Sequence, residues 1–298
     1  MKATSQSTTE LGLSFLNSEK ILLNIASVKN YVKAELGLDN NLQNSWEYIR
    51  TAMHHDLDNV EHNAESPELL WYDQKSENFS QALRNLIGNV EIPSEVTYEK
   101  SERIGHEAKF NAAIDQFKTE FPETYKAFKE LIAFVILAKR PGYGGGTVSN
   151  RIGLIWLAPE EKWTVNDWLE NLIHEFIHNA LFLDDMVQTI FTAGGSRLAE
   201  DDALAISAIR QVKRGYDKSY HSAFVSFGII THYMKLKMHD KALKFLDPLT
   251  ICVEDLVKNT NFVTSHGELL LWELAENVIQ IRKQLEAYSE EQLQTLMA

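Results

Sequence analysis

Apolar residues recur along most of this chain at intervals of three and four positions, which is the spacing of one helix face. The pattern predicts helices over Leu11–Leu36, Trp46–Leu57, Glu68–Ile87, from about Arg103 onward, Glu123–Lys139, Tyr220–Met238, Leu243–Val257 and Glu268–Tyr288. Pro122 suits the first turn of its helix, where the missing N–H costs no hydrogen bond. The periodicity therefore predicts a mainly helical protein.

One segment departs from the helical spacing. Residues Ile152–Ala158 form an apolar run between turn signals, which is typical of a buried strand. Pro159 ends the run, and Thr164 with Asp167 resembles a capping box that begins the next helix. The predicted fold class is mainly α (α+β), with a small β-sheet packed beside that helix. The strand has two open roles: an edge strand to which an extended peptide could add, or an ordinary core strand.

Proline and glycine mark two further positions in the chain. Near Pro93 the chain divides into an N-terminal helical region, residues 1–92, and a catalytic region, residues 93–298, or else both form one continuous domain. The Gly142–Gly146 cluster lacks the lysine of a phosphate-binding loop and leads into a strand, which favours a flexible lid or a hairpin entry.

The helix after the strand carries the HExxH motif His174-Glu175-Phe176-Ile177-His178. Positions i and i+4 lie one turn apart on the same helix face, so both imidazoles can bind one metal ion. Neutral imidazole suits both zinc and ferrous iron. Glu175 shares the polar half of the helix with the two histidines, and in zinc peptidases this glutamate is the general base. We predict a metal-binding site at this motif.

A metal site needs a third ligand, and the sequence offers two candidates. Glu200 follows His178 by 22 positions, near the spacing of the glutamate ligand in many zinc peptidases. Its acidic neighbours Asp201 and Asp202 fit equally well with an exposed helix start. His221 lies in a strongly apolar segment, and His174 with His178 require a third ligand to complete a metal site. We favour His221 over Glu200.

The remaining histidine groups carry weaker signals. The run His54-His55-Asp56-Leu57-Asp58 could form a second metal cluster with His62, but a solvated helix end before Pro67 is the favoured interpretation. His106 has no second histidine four positions later, so we expect it at the surface.

Composition and charge exclude several classes of protein. The 298 residues carry a formal net charge of -13, and an acidic surface repels the phosphates of nucleic acids. The single cysteine, Cys252, cannot form an intramolecular disulfide or a zinc ribbon. The longest apolar run, Leu131–Ala138, is too short to cross a membrane, and no signal peptide is visible. We expect a soluble, cytoplasmic protein that binds a peptide or a small molecule, with its oligomeric state left open.

A second group of residues follows the motif at regular spacing: Ser207, Arg210, Arg214 and the segment Tyr220–Phe224. With the HExxH motif and the strand before it, these positions resemble the HExxH-type, iron- and 2-oxoglutarate-dependent peptide β-hydroxylases, which modify ribosomally made peptides. That family has a Ser-Pro-Trp-Arg-like element, a second Arg and a Leu-His-Gly-Ala-Tyr-like helix. The resemblance covers roughly residues 144–233.

The chain departs from the family pattern at three positions. Ala208 and Ile209 replace the Pro-Trp pair, and Ser222 replaces the glycine. The residues expected to bind metal and co-substrate nevertheless fall at matching positions without gaps.

The resemblance implies an oxidoreductase, a dioxygenase that hydroxylates a peptide or peptide-like substrate with Fe(II) and 2-oxoglutarate. His174, His178 and His221 would hold the iron. Arg214 or Arg210 would bind the distal carboxylate of 2-oxoglutarate, because a guanidinium donates two parallel hydrogen bonds to a carboxylate. Between the two arginines, Arg214 is slightly preferred.

The role of Glu175 separates the alternatives. In the iron enzyme, Glu175 would orient a group beside the metal. In a zinc metallopeptidase, Glu175 would be the general base and Glu200 the third ligand. A non-enzymatic helical binding protein with a degenerate site is the remaining alternative, although all three motif residues are intact.

Overall fold

The structure, a computed structural model, describes residues 10–37, 42, 44–54, 57, 62, 66–72, 97–140 and 142–297. The chain divides into two compact units. We name them the sheet unit, Phe15–Val187, and the helical unit, Met1–Ser14 with Gln188–Ala298. The predicted boundary between residues 92 and 93 lies outside the described residues, so that division stays a prediction.

The sheet unit surrounds a small sheet with helices. Its helices are α1 (Ser18–Leu36), α2 (Ser45–Met53), α3 (Lys100–Glu120), α4 (Pro122–Leu131) and α5 (Val165–Gln188). Its strands are β1 (Glu68–Trp71), β2 (Phe134–Leu137), β3 (Gly145–Gly146) and β4 (Leu154–Leu157). Helix α1 packs against α2 and α4, and α3 packs against α4.

Local sequence signals begin two of these helices. Pro122 lies in the first turn of α4, as predicted. At the start of α5, Thr164 N–H donates to Asp167 Oδ2 at 2.7 Å, and Asp167 N–H donates to Thr164 Oγ1 at 3.2 Å. The predicted capping box is therefore confirmed.

The four strands follow the order β1-β2-β4-β3. Strand β2 pairs parallel with β1 and with β4, whereas β3 pairs antiparallel with β4. Every residue of β2 and β4 is buried. Phe134, Ile136, Leu154 and Trp156 join one apolar cluster with Trp46. The residues that alternate with them are buried as well, so the sheet is covered on both faces.

The predicted fold class, mainly helical with a small β component, is confirmed, and so is the strand within Ile152–Ala158. Two helix predictions are wrong in part. The segment Glu68–Ile87 begins with β1, and its continuation from residue 73 lies outside the described residues. The helix predicted over Glu123–Lys139 ends at Leu131 and β2 follows. A strand buried on both faces is continuously apolar, so its spacing resembles that of a buried helix.

The helical unit contains one hairpin and three long helices among its described residues. The hairpin strands are β5 (Ala205–Ile206) and β6 (Lys213–Arg214), and the helices are α6 (Tyr216–Lys235), α7 (His239–Val257) and α8 (Ser265–Met297). Helix α7 packs against α6, α8 and β5. In neither unit is any described helix both long enough and apolar enough to cross a membrane.

His232 is a fully buried titratable group on α6. Burial lowers the pKa of His232 to about 4 from its ordinary 6.5, and the charge of Lys241 adds to this effect. Between these two pH values the unfolded chain binds a proton that the folded chain does not. We therefore expect the free energy of unfolding to fall as pH drops through this window, by up to about 3 kcal/mol.

Urea unfolding across this pH window tests the assignment to His232. The variant His232→Leu removes the titrating group and keeps an apolar side chain, so its stability should depend less steeply on pH between 6.5 and about 4. Equal slopes in the two proteins would show that other groups cause the pH dependence.

Candidate metal centre

The motif residues lie in the middle of α5, in the sheet unit. The predicted apolar half of this helix is buried at Trp168, Leu169, Leu172, Ile173, Phe176, Ile177 and Ala180. His174 and His178 are half-buried, and the His174 side chain keeps 29% of its surface exposed. The helix therefore holds both histidines at the boundary between core and solvent.

The two histidine rings lie side by side. Their centroids are 5.1 Å apart and their planes meet at 55°. Phe182, one turn further along α5, stacks on His178 with centroids 6.2 Å apart. This pair can supply two imidazole nitrogens to one divalent ion.

The side chain of Glu175 is more buried than expected for a residue on the polar face of a helix. Its side chain is 5% exposed, and Oε1 lies 3.9 Å from His174 Nε2. Among the described residues, Oε2 has no hydrogen-bond partner. Burial raises the pKa of Glu175 to about 8. A carboxyl with this pKa is mainly protonated at neutral pH, and its unsatisfied oxygen in the interior is costly, so a bound ion, water or substrate group beside it would be stabilising.

Asn179, the residue after His178, ties α5 to the sheet. Its Oδ1 accepts from Gly153 N–H at 2.8 Å, and its Nδ2 donates to Thr147 Oγ1 at 2.9 Å and to Glu175 O at 3.1 Å. The side chain is fully buried. The sequence does not predict that Asn179 ties α5 to the sheet. The only signal is an asparagine, a weak helix former, inside a helix.

Replacing Asn179 with leucine should lower the free energy of unfolding by about 1–3 kcal/mol, because Gly153 N–H stays buried without an acceptor. Urea unfolding of the purified protein measures this loss. Asn171→Leu is the matched control on the same helix, since Asn171 is half-buried and its Nδ2 donates to the backbone oxygen of Asp167, one turn back on α5. Equal losses in the two variants would contradict an anchoring role for Asn179.

The glycine cluster forms the edge of the sheet rather than an open loop. A Cβ on Gly145 would lie 2.6 Å from Trp156 O, and one on Gly146 would lie 2.7 Å from Trp156 Nε1. A Cβ on Gly144 would lie 3.2 Å from Asn171 Oδ1 of α5. These close approaches require glycine and support the hairpin-entry interpretation. Because β3 covers part of β4, the predicted strand is an interior strand instead of an edge strand.

His221 lies near the start of α6, in the helical unit. It is 5% exposed, and Phe191 stacks on its ring with centroids 6.2 Å apart. Burial lowers the pKa of His221 to about 3, so the imidazole is neutral, the form that binds metal. Its predicted role as third ligand to the sheet-unit histidines stays a prediction.

The two candidate arginines differ in exposure. Arg214 is half-buried on β6, where it pairs with Ala205 of β5. Arg210 is exposed in the connection between the two strands, where its N–H donates to Ser207 Oγ. A half-buried guanidinium is better placed to bind a small carboxylate tightly, because its charge is less screened by water.

Glu200, the alternative third ligand, is an exposed residue between two short 3-10 turns instead of a helix residue. Its side chain is 62% exposed, and its Oε2 lies 3.2 Å from Arg197 Nη1. This carboxylate already has a cationic partner within the helical unit.

The other histidine predictions need correction. His54 is fully buried, with its Nε2 2.8 Å from Ile152 O, and His62 is 9% exposed, so neither belongs to a solvated helix end. Residues 55, 56 and 58 lie outside the described residues. His106 was expected at the surface but is 3% exposed, packed between Tyr98 and Trp168. His62 packs against Phe134 and His106 against Trp168, and local sequence does not reveal such contacts with distant segments.

The donor set of the sheet unit fits part of a metal centre. Two imidazoles and an adjacent buried carboxylate are the groups that a zinc or iron site uses. In the part of the chain that the structure describes, no group of three or more His, Cys, Asp or Glu is arranged to hold a metal ion. No protein-family model and no curated protein matches this chain.

Proposed function

We propose that this chain is a metal-dependent enzyme, a hydroxylase that uses Fe(II) and 2-oxoglutarate on a peptide or peptide-like substrate. One observation carries the metal-dependent part: a half-exposed imidazole pair on α5 lies beside Glu175, whose buried Oε2 has no partner among the described residues. On an ordinary solvated helix face, a glutamate side chain is exposed to water instead of buried in this way. The iron and 2-oxoglutarate part depends on the sequence resemblance.

Each group in the proposal has a separate task. His174 and His178 bind the metal from the sheet unit, and His221 is the proposed third ligand. Arg214 binds the distal carboxylate of the co-substrate through two parallel hydrogen bonds. When bound, iron and 2-oxoglutarate supply the oxidising chemistry, while the protein positions the substrate and excludes competing reactions.

Glu175 is the residue that acts on groups beside the metal. Its Oε1 lies 3.9 Å from His174 Nε2, close enough to influence the orientation of that ring. Its unpartnered Oε2 can accept a hydrogen bond from a water or a substrate group in the site. In the proposed hydroxylase this contact orients the group, and no proton transfer by Glu175 is required.

Anaerobic loading with Fe(II), followed by admission of oxygen in the presence of 2-oxoglutarate, tests the activity. The expected result is formation of succinate, accelerated by a substrate peptide and absent in the His174→Ala variant. His239→Ala, which changes a histidine at the start of α7, is the control and should retain activity. Absence of 2-oxoglutarate turnover, with or without candidate peptides, would overturn the proposed class.

Variants of the two arginines, Arg214 and Arg210, test which of them binds the co-substrate. Arg214→Gln should raise the KM for 2-oxoglutarate by about 10-fold to 100-fold, because a hydrogen-bonded charge pair is lost. Arg210→Gln should change this KM little, since Arg210 is exposed in the hairpin connection. The reverse order would assign Arg210 to the co-substrate.

Zinc peptidase activity is the competing hypothesis, and it is tested with the same protein loaded with zinc instead of Fe(II). In that case zinc-loaded protein would hydrolyse peptides, Glu200→Ala would abolish metal binding, and His221→Ala would not. The observed pairing of Glu200 with Arg197 favours the hydroxylase over this alternative.

A further inference from the structure

The connection between β5 and β6 gathers cations in an acidic chain. The chain has 42 acidic and 29 basic residues, yet Arg210, Lys213, Arg214 and Lys218 fall within nine positions with one carboxylate, Asp217, among them. Arg210, Lys213 and Lys218 are exposed and Arg214 is half-buried. This part of the helical unit therefore has a local charge opposite to that of the whole protein.

These cations lack the partners that other arginines of the same unit have. Arg197 Nη2 lies 2.7 Å from Asp202 Oδ2, and Arg282 Nη2 lies 2.9 Å from Asp247 Oδ1. Among the described residues, no carboxylate oxygen lies within 4.0 Å of the charged nitrogens of Arg210, Lys213 or Arg214. With Arg214 assigned to the co-substrate, the charges of Arg210 and Lys213 are available to a further binding partner.

Two apolar side chains stand among the cations. Ile209 is 36% exposed and Val212 is 57% exposed. We name Ile209, Arg210, Val212 and Lys213 the basic hairpin tip. Arginine is enriched at protein–protein interfaces, and turns are dominated by Gly, Pro, Asn, Asp and Ser, so two exposed apolar side chains beside an arginine distinguish this connection from an ordinary turn.

Hydrogen bonds hold the backbone of this tip in one conformation. Ser207 N–H donates to Val212 O at 3.0 Å, Gln211 N–H donates to Ser207 O at 2.8 Å, and Ser207 Oγ accepts from Arg210 N–H. Ala208 N–H donates to Ser222 Oγ of α6 at 3.0 Å. A surface that is ordered before binding loses less conformational entropy when a partner docks.

We propose that the basic hairpin tip binds an acidic peptide segment that carries apolar residues between its carboxylates. Charge complementarity and the two exposed apolar side chains select this partner. Nucleic acid and an anionic lipid surface are disfavoured, because both are extended arrays of negative charge that reach beyond the two cations of the tip to a chain of net charge -13, whereas a short acidic peptide can contact the tip alone. The proposed surface uses Arg210, the less favoured arginine for the co-substrate, and leaves that role to Arg214.

Fluorescence anisotropy of the full chain with a labelled peptide of alternating glutamate and leucine tests this surface. The peptide should bind, with an affinity that falls as salt rises, and a peptide with lysine in place of glutamate should not bind. The double variant Arg210→Glu/Lys213→Glu should weaken binding by at least about tenfold. Val212→Ser should weaken binding at low and high salt alike, because the lost contact is apolar.

The matched control is Lys244→Glu/Lys283→Glu, which makes the same change in net charge at exposed lysines elsewhere in the helical unit. It should change the affinity by no more than about twofold. Equal weakening in the two double variants would show a non-specific charge effect and overturn the proposal. Absence of peptide binding, or binding to anionic phospholipid vesicles in its place, would also overturn it. Circular dichroism verifies that each variant is folded.

Discussion

Replacing His178 with alanine should lower the affinity of the chain for Fe(II) by more than about 100-fold. Loss of a group that only orients a ligand costs about 10-fold to 100-fold in metal affinity, and loss of a direct ligand costs more. The rings of His174 and His178 lie 5.1 Å apart, so both can bind the same ion, and the variant loses one of the two imidazoles that α5 supplies. Equilibrium dialysis under anaerobic conditions, with iron measured in the protein fraction, gives the affinity directly.

Two comparisons make this result specific to the α5 pair. His239→Ala should bind iron as the unaltered chain does, because His239 packs against Tyr288 in the helical unit. Phe182→Leu should have an intermediate effect, since Phe182 stacks on His178 but supplies no ligand atom. Full retention of stoichiometric iron by His178→Ala would rule out the motif as the metal centre.

Replacing Phe176 with alanine should lower the free energy of unfolding by about 3–5 kcal/mol. Phe176 is the first of the two residues between Glu175 and His178, and its ring is fully buried against Phe128 of α4, with centroids 5.6 Å apart. Removing the ring loses its burial and leaves a cavity that the surrounding helices fill only in part. Urea unfolding measures the loss, and the iron-free protein should be used so that metal binding does not contribute.

Two further variants separate the cavity effect from other causes. Phe176→Leu conserves most of the volume and should cost less than about 1.5 kcal/mol. Tyr143→Ala removes an aromatic ring that is 48% exposed, and should change stability by no more than about 0.5 kcal/mol. A Phe176→Ala loss as small as that of Tyr143→Ala would mean that α5 is not anchored through this ring.

The stability of α5 and its metal chemistry are linked through neighbouring residues. Phe176 and Asn179 hold the helix against α4 and the sheet, while His174 and His178 face the half-exposed boundary. Weakening either anchor should therefore lower iron affinity indirectly, by loosening the geometry of the pair. Such a loss should be smaller than that of His178→Ala, because both imidazole ligands remain.

Local spacing was sufficient for those features that lie within one element. The pairing of His174 with His178 follows from the pitch of an α-helix, and the capping box at Thr164 follows from residues three positions apart. The apolar half of α5 and the strand β4 were predictable for the same reason. In each of these cases the groups that interact are close in sequence.

Features that depend on distant segments were not predictable in this way. The apolar spacing predicts the end of a helix at the position of β2, whereas its pairing with β1 and β4 makes Phe134–Leu137 a strand. His106 and His54 were expected in solvent, but distant side chains and backbone bury them. The exposure that distinguishes Arg210 from Arg214 likewise comes from how the hairpin packs on the rest of its unit.

The motif helix contains both kinds of feature. The sequence alone determined that α5 carries two imidazoles on one side and an apolar stripe on the other, because both follow from helical periodicity. Two other features follow from the packing of the whole unit: Glu175 is buried without a partner for Oε2 among the described residues, and Asn179 bonds to Gly153. Burial and hydrogen-bond partners depend on which distant segments pack together, and no local spacing encodes that choice.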